Sequence, residues 1–214
     1  MPFSPADIAD ALAAGLAQED ARRTAEDAPL GLDALEERHL HPLLAEGLRQ
    51  AGYGVHAEQR FPGTRAERRR SHGERCDLVV TPDARPLRAP DDAPDLFAPV
   101  DAVDLEHALW VEVKTARPFH ADGPNGRYAA ELLGAPSEDI VRLATSPGVH
   151  HAMFALVLFA RSEPDGRAHL AEWERAMMAE GLPLETPRVR CVPVPDRIGH
   201  AVCLVAVSTV GRMG

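Results

Sequence analysis

The chain has 214 residues, of which 45% are hydrophobic and 26% are charged, a composition typical of a globular domain with room for a substantial core. Its net charge of −10 at pH 7 excludes a protein that coats nucleic acid through its overall field. No apolar run reaches the ~18 residues of a membrane-spanning helix, so no membrane partner is expected. Three scattered cysteines predict reduced thiols, and the N-terminus lacks the features of a secretory signal, so we expect a cytoplasmic protein.

Helical signals dominate the first part of the chain. Apolar residues at helical spacing predict one helix over 4–25 and a second over 33–51. The second helix is expected to begin at Asp33, a good N-cap, and to kink or restart at Pro42. A strand is predicted to follow over 54–61.

The next strand carries Asp77, which has Leu78 and Val80 on the opposite, core-facing side. After this strand, residues 81–107 are acidic and rich in proline. Such a segment predicts an irregular excursion, and it could cover a site or contact a partner.

A strand over 109–115 provides the most informative motif of the chain. Because strand side chains alternate between two faces, Glu112 and Lys114 point the same way, and pairing with the preceding strand could place Asp77 beside them. Two carboxylates and the Val113 backbone carbonyl form the partial oxygen shell that Mg²⁺ or Mn²⁺ accepts while leaving room for phosphate and water. Lys114 could orient or deprotonate an attacking water, or neutralise a transition state.

The rest of the chain continues the alternation of strands and helices. The predicted elements are a loop over 118–136, a helix from Ser137, a strand over 152–160, a helix over 168–180, and strands over 188–194 and 200–210. The order αβββαβ followed by αββ predicts an α/β protein with a mixed central sheet flanked by helices and an extra C-terminal helix and strands. We expect one domain over 1–214, with a helical extension over 1–30, a catalytic core over 33–160, and a C-terminal part over 161–214 that completes the sheet.

Asp77 and the triplet Glu112-Val113-Lys114 resemble the signature of the PD-(D/E)xK nuclease superfamily, although Cys76 stands where a motif proline often lies. Tyr128, Glu131 and the run 139–143 look like the pattern that often follows the catalytic strand in that superfamily. This resemblance covers about residues 33–160. It implies a restriction-endonuclease-like fold, with Asp77 and Glu112 as metal ligands and Lys114 as the residue that handles water.

Further roles follow from the same resemblance, each beside a plainer interpretation. Glu37 matches a glutamate that assists the metal from the first core helix, or it is an exposed helix charge. Arg142 and Tyr128 contact phosphate or brace the site, or they pack on a helix surface.

A basic segment precedes the Asp77 strand and is the second candidate for nucleic-acid contact. It contains Arg60, Arg65, Arg68, Arg69, Arg70 and Arg75. This segment either grips a phosphate backbone, chiefly through the arginines from Arg65 to Arg75, or forms a solvated loop.

These features predict a Mg²⁺- or Mn²⁺-dependent nuclease that cleaves nucleic acid, with DNA as the expected substrate and defence, restriction or repair as the setting. Two alternatives remain open at this point. One is a catalytically inactive subunit of the same fold that binds nucleic acid or a protein, and the other is an RNA-directed nuclease. The assembly is open between a homodimer, in which two sites could cut both strands of a duplex, and a larger complex with a partner protein.

Overall fold

The structure is a computed structural model, and it describes residues 3–62, 75–88 and 100–213. Its helices are α1 (Pro5–Ala25), α2 (Glu37–Gln50), α3 (Ala135–Thr145) and α4 (Glu163–Ala179). Its strands are β1 (Gly54–Arg60), β2 (Arg75–Thr81), β3 (Leu109–Ala116), β4 (Phe119–His120), β5 (Gly123–Pro124), β6 (His151–Ala160), β7 (Arg188–Pro193) and β8 (Val202–Thr209). A π-helical turn, Ala130–Gly134, leads directly into α3.

Six strands form one sheet in the order β1-β2-β3-β6-β8-β7. The pair β3 and β6 is parallel, whereas the other neighbouring pairs are antiparallel, so the sheet is mixed. The prediction of an α/β protein with a mixed sheet flanked by helices is therefore confirmed. The strands β4 and β5 form a separate two-stranded ribbon.

Alternation along β3 separates two apolar cores on opposite faces of the sheet. Leu109, Val111 and Val113 pack in the core that includes α1 and α2, while Trp110 packs in the core that includes α3 and α4. The neighbouring β6 is buried on both faces from Ala152 onward, as its continuous apolar run predicts. Glu112 and Lys114 therefore belong to the α3 side of the sheet.

Three predicted helix starts are wrong. Ser137 is not an N-cap, because it lies inside α3, which begins at Ala135 and continues directly from the turn Ala130–Gly134. The chain forms a short 3-10 turn at Leu32–Ala34, and α2 begins at Glu37. Asp33 is fully buried with a carboxylate oxygen 3.3 Å from Nδ1 of His200, so its side chain is not a helix cap. Similarly, α4 begins at Glu163 rather than at residue 168, because Ser162 caps it by accepting a hydrogen bond from the amide of Asp165.

Of the kink or restart predicted at Pro42, the restart does not occur, because α2 is one helix from Glu37 to Gln50 with the proline inside it. The carbonyl that loses its helical partner to proline belongs to Arg38, an exposed residue of the first turn. Water can satisfy that carbonyl, so the helix continues at low cost.

Close contact between α1 and α2 fixes the helix that reaches the site described below. A methyl group on Gly47 would clash with the backbone carbonyl of Ala11, and one on Gly15 would clash with the carbonyl of Leu43. Only a residue without a side chain permits this separation of the two helix backbones.

Replacing Gly47 by alanine is therefore expected to lower the free energy of unfolding by about 2 kcal/mol or more, because the helices must separate to admit the methyl group. Chemical denaturation would measure the change. Gly134→Ala is the matched control, since its methyl group would meet open space and is expected to be neutral or slightly stabilising. Equal stability of the two variants would contradict this account of the packing.

Among the described residues, none of the helices combines the length and the apolar character that crossing a bilayer requires.

Candidate metal centre

The site lies where β2 and β3 separate. These strands pair at three positions, of which Leu78 with Val111 is the last, and the same register would next place Asp77 opposite Glu112. The buried thiol of Cys76 donates to the carbonyl of Val111 at 3.3 Å beside this opening. The local sequence thus brings the two carboxylates together at the point where the ladder ends.

Side-chain carboxylates accept hydrogen bonds from two backbone amides of β3 at the opening, where β3 no longer pairs with β2. The amide of Val113 donates to Oδ2 of Asp77 at 2.8 Å, and the amide of Thr115 donates to Oε2 of Glu37 at 2.7 Å. The amide and carbonyl of a strand residue point toward the same neighbouring strand. The Val113 carbonyl, expected from the sequence to be a metal ligand, therefore also faces the gap that contains Asp77.

Glu112 is buried, with 2% of its surface exposed. Burial, which is the largest cause, acts together with the neighbouring Asp77 and Asp139 carboxylates to raise the pKa of Glu112 to about 9, while Arg142 works in the opposite direction. A carboxylate in this position is poorly compensated when charged. A divalent cation between Asp77 and Glu112 would supply the missing positive charge, so the residues fit Mg²⁺ or Mn²⁺.

Lys114 lies in the same opening, between two carboxylates from different helices. Its Nζ is 3.0 Å from Oδ2 of Asp139 on α3 and 3.6 Å from Oε1 of Glu37 on α2. Burial works to lower the pKa of Lys114, but Glu37 and Asp139 outweigh it, and the pKa lies above its usual value. The side chain is therefore a fixed cation at neutral pH.

Arg142, on α3, contacts two of the carboxyl groups of the site. Its guanidinium is 3.0 Å from Oδ1 of Asp139 and 3.4 Å from Oε1 of Glu112. Asp139 is 7% exposed at its side chain and touches both Lys114 and Arg142. Arg142 therefore contacts both a carboxylate of α3 and Glu112 on β3.

Tyr128 and Arg75, which were also considered for nucleic-acid contact, form hydrogen bonds with His169 and Glu58. The Tyr128 hydroxyl is 2.5 Å from Nδ1 of His169 on α4, and the Arg75 guanidinium donates to the carbonyl of Glu58 at 3.0 Å. Arg65, Arg68, Arg69 and Arg70 lie outside the described residues.

His41 and Glu58 are potential ligands that sequence reasoning missed. One ligand atom from each of His41, Glu58 and Asp77 lies within 4.8 Å of the others. His41 is one helical turn beyond Glu37, on the same face of α2, and this spacing was the available signal. Nothing in the sequence of β1 marks Glu58, because its approach to Asp77 depends on strand register.

A cleft of about 380 Å³ adjoins the site at the end of β3. Its walls include Glu37, Lys114, Arg117, His120 and Glu131. Lys114 and Glu37 thus line the cleft, whereas Glu112 is buried.

Comparison with family models, curated proteins and solved structures returned no match to this chain.

Proposed function

We propose that the protein is a metal-dependent nuclease with a restriction-endonuclease-like core that hydrolyses phosphodiester bonds, with DNA as its substrate. The observation that carries this proposal is the convergence of Asp77, Glu112 and Lys114 where β2 and β3 separate. The element order α2, β1, β2, β3, α3, β6 also supports it, because it follows the αβββαβ order that the resemblance implies.

Asp77 and Glu112, with the carbonyl of Val113, would hold Mg²⁺ or Mn²⁺. A bound divalent ion lowers the pKa of its water and stabilises the charge that develops on a phosphate. Glu37 reaches the same opening through the Thr115 amide, so it is placed to accept a hydrogen bond from a water there.

Lys114 would act as a positive charge and a hydrogen-bond donor rather than as a base. Its neighbours Glu37 and Asp139 keep the ammonium protonated, and its end borders the cleft. A compact ammonium in this position would orient the attacking water and offset the charge of the pentacovalent phosphorus. Asp139 and Arg142 would hold Lys114 and Glu112 in place without touching the substrate.

The proposal is tested by incubating the purified chain with supercoiled plasmid, linear duplex, single-stranded DNA and RNA. Cleavage of DNA is expected with Mg²⁺ or Mn²⁺, and a chelator is expected to remove all of it. Asp77→Asn should remove cleavage as well, whereas Asp104→Asn, an exposed acid in the loop before β3, should leave it unchanged.

Failure to cleave any substrate would contradict the proposal. If the chain then bound nucleic acid equally well with and without the Asp77→Asn change, the inactive binding subunit would be supported instead. Preferential cleavage of RNA would keep the chemistry and replace the substrate.

A further inference from the structure

Arg117 is a buried cation in the wall of the cleft that Lys114 also lines. It directly follows the last residue of β3, and only 6% of its surface is exposed. Its one hydrogen bond within the described part of the chain runs from Nη1 to the backbone carbonyl of Asp33 at 2.7 Å. Arginine has five N–H donors and is always charged in proteins, so most of these donors remain available to a ligand.

Packing fixes the guanidinium of Arg117 in one position. Its Cζ lies 5.3 Å from the centre of the Phe159 ring, which is fully buried. Nδ2 of Asn125 donates to the backbone carbonyl of Arg117 at 2.8 Å. Asp33, whose carbonyl accepts from the guanidinium, is itself fully buried against His200. The arginine is therefore held in place before any ligand arrives, which lowers the entropy that binding costs.

The acids that line the same cleft already have partners. Glu36 forms an ion pair with Arg38 at 2.9 Å, and Glu131 accepts a hydrogen bond from Nδ2 of Asn125 at 2.7 Å. Glu37 is engaged by β3 through the contacts described above. These acids are thus occupied by other groups rather than by the arginine.

The charge of Arg117 is poorly compensated as a result. Burial lowers the pKa of Arg117, and the more distant Glu131 and Asp33 charges oppose this only in part, so the pKa lies below its usual value. A buried charge is normally paired. An anion in the cleft would supply the missing negative charge and accept hydrogen bonds from the free N–H groups.

Phosphate is the anion that the position of Arg117 favours. The planar guanidinium fork matches the oxygens of a phosphate group with two parallel hydrogen bonds. Lys114 and Arg117 are three residues apart, which is about 10 Å along an extended chain, so the two cations suit different phosphates. His120, exposed on the ribbon of β4 and β5, lies in the same wall and could add a further donor.

We propose that Arg117 binds a phosphate group of the substrate other than the one that is cleaved. This inference rests on the proposed function, which makes the substrate a chain of phosphates, and it deepens that function by naming the residue that positions the strand. The bound group is either an internal phosphodiester or a terminal phosphomonoester. Both can be measured without a cleavage assay.

The test measures binding in the presence of a chelator, so that no cleavage interferes. Fluorescence anisotropy follows a labelled single-stranded oligonucleotide on the full chain over a series of salt concentrations. Arg117→Gln should weaken binding about tenfold at low salt, because charge-assisted hydrogen bonds are lost. It should also reduce the slope of log affinity against log salt by about 0.7, the value for one phosphate contact on a single strand.

Arg49→Gln is the matched control, since it removes the same charge from an exposed position. Arg49 lies about 18 Å along α2 from Glu37, which lines the cleft. This variant should bind the oligonucleotide with the affinity and the salt slope of the wild type.

Competition identifies which phosphate is bound. Thymidine 5′-monophosphate offers a terminal monoester, the thymidine dinucleotide offers one internal diester, and thymidine offers no phosphate. The competitor that carries the recognised group should displace the labelled strand from the wild type, and at least about tenfold less well from Arg117→Gln. Thymidine should compete weakly and equally in both proteins.

A second variant covers the case in which the first does not fold. Circular dichroism should show that Arg117→Gln remains folded. If it unfolds, Arg117→Lys replaces it, because lysine keeps the charge and loses the planar fork. Arg117→Lys should keep the salt slope of the wild type and weaken the competition by the recognised phosphate.

The outcomes separate this inference from the proposed function. Equal affinity, salt slope and competition in the wild type and the Arg117 variants would overturn the phosphate site, as would thymidine competing as well as either phosphate compound. Cleavage of DNA together with those results would leave the proposed nuclease intact. A chain that shows the expected effects of Arg117 but cleaves no nucleic acid would support the phosphate site and contradict the nuclease.

Discussion

Replacing Glu112 by glutamine is expected to abolish metal-dependent cleavage and, at the same time, to stabilise the metal-free protein at neutral and alkaline pH. Glutamine preserves the size of the side chain but removes the charge that would hold the cation. The loss of cleavage should be at least about 10³-fold, the upper range for removing one group that stabilises developing charge. The stabilising effect arises because Glu112 is buried beside Asp77 and Asp139.

The sign of the stability effect follows from the raised pKa. Between its usual pKa of 4.5 and its folded-state pKa of about 9, Glu112 binds a proton in the folded protein and not in the unfolded chain. Its contribution to stability is therefore fully present below pH 4.5 and is lost as the pH rises toward 9. Each pH unit in this window costs up to about 1.4 kcal/mol.

Denaturation in the presence of a chelator, at pH values from 5 to 9, would measure this dependence. The wild-type free energy of unfolding should fall across the window, and the Glu112→Gln curve should be flatter and cross above it. Glu106→Gln, a change at an exposed residue before β3, should leave the wild-type slope intact. Parallel curves for wild type and Glu112→Gln would show that Glu112 is not held protonated in the metal-free fold.

The same proton links pH to metal binding. A cation that binds Glu112 must displace its proton, so affinity should rise about tenfold per pH unit while Glu112 remains protonated. Glu112→Gln has no such proton and should bind any remaining ion with a weaker dependence on pH.

Strand periodicity was enough to predict the part of the site that lies on a single strand. Alternation with a period of two is a property of any strand, so the common face of Glu112 and Lys114 could be predicted from β3 alone. Asp77 could be predicted because it begins an apolar run that must pair with β3 or its neighbour. Glu37 was expected either to assist the metal or to be an exposed helix charge, and its hydrogen bond with the Thr115 amide of β3 was not predicted.

The contacts that depend on tertiary packing could not be predicted. His41 on α2 and Glu58 on β1 lie near Asp77 through the packing of α2, β1 and β2, and Glu58 has a left-handed backbone conformation with φ of 55°. Asp33 has the sequence features of an N-cap, but its burial against His200 overrides that local preference. In each case a long-range contact determines the outcome.

The role of α3 at the site could likewise be predicted only in part. Asp139 and Arg142 are three residues apart and so lie on one helix face, which the sequence makes plain. In the structure this face turns toward β3 and contacts Lys114 and Glu112. This orientation depends on how α3 packs on the sheet. Asp139 was part of a recognised pattern, yet its role emerges only from these distances.

Lys114→Met is expected to lower kcat by about 10²–10⁴-fold, the range for losing a group that assists proton transfer or positions water. The side chain keeps its apolar length and loses the ammonium that contacts Glu37 and Asp139. Because Asp77 and Glu112 remain, metal binding should change little. Lys114→Arg should not restore the rate, since the planar guanidinium cannot occupy the position of a compact ammonium.

Asp139→Asn should lower kcat about tenfold and leave KM unchanged, because Asp139 acts through Lys114 and does not contact substrate. A double-mutant cycle tests this dependence. Once Lys114→Met has removed the ammonium, Asp139→Asn should cost almost nothing further, whereas independent roles would give the product of the two losses. Glu138→Gln, at the exposed neighbouring position, should leave kcat unchanged in both backgrounds. A full multiplicative loss in the double variant would mean that Asp139 supports catalysis by a route other than Lys114, such as its 3.0 Å contact with Arg142.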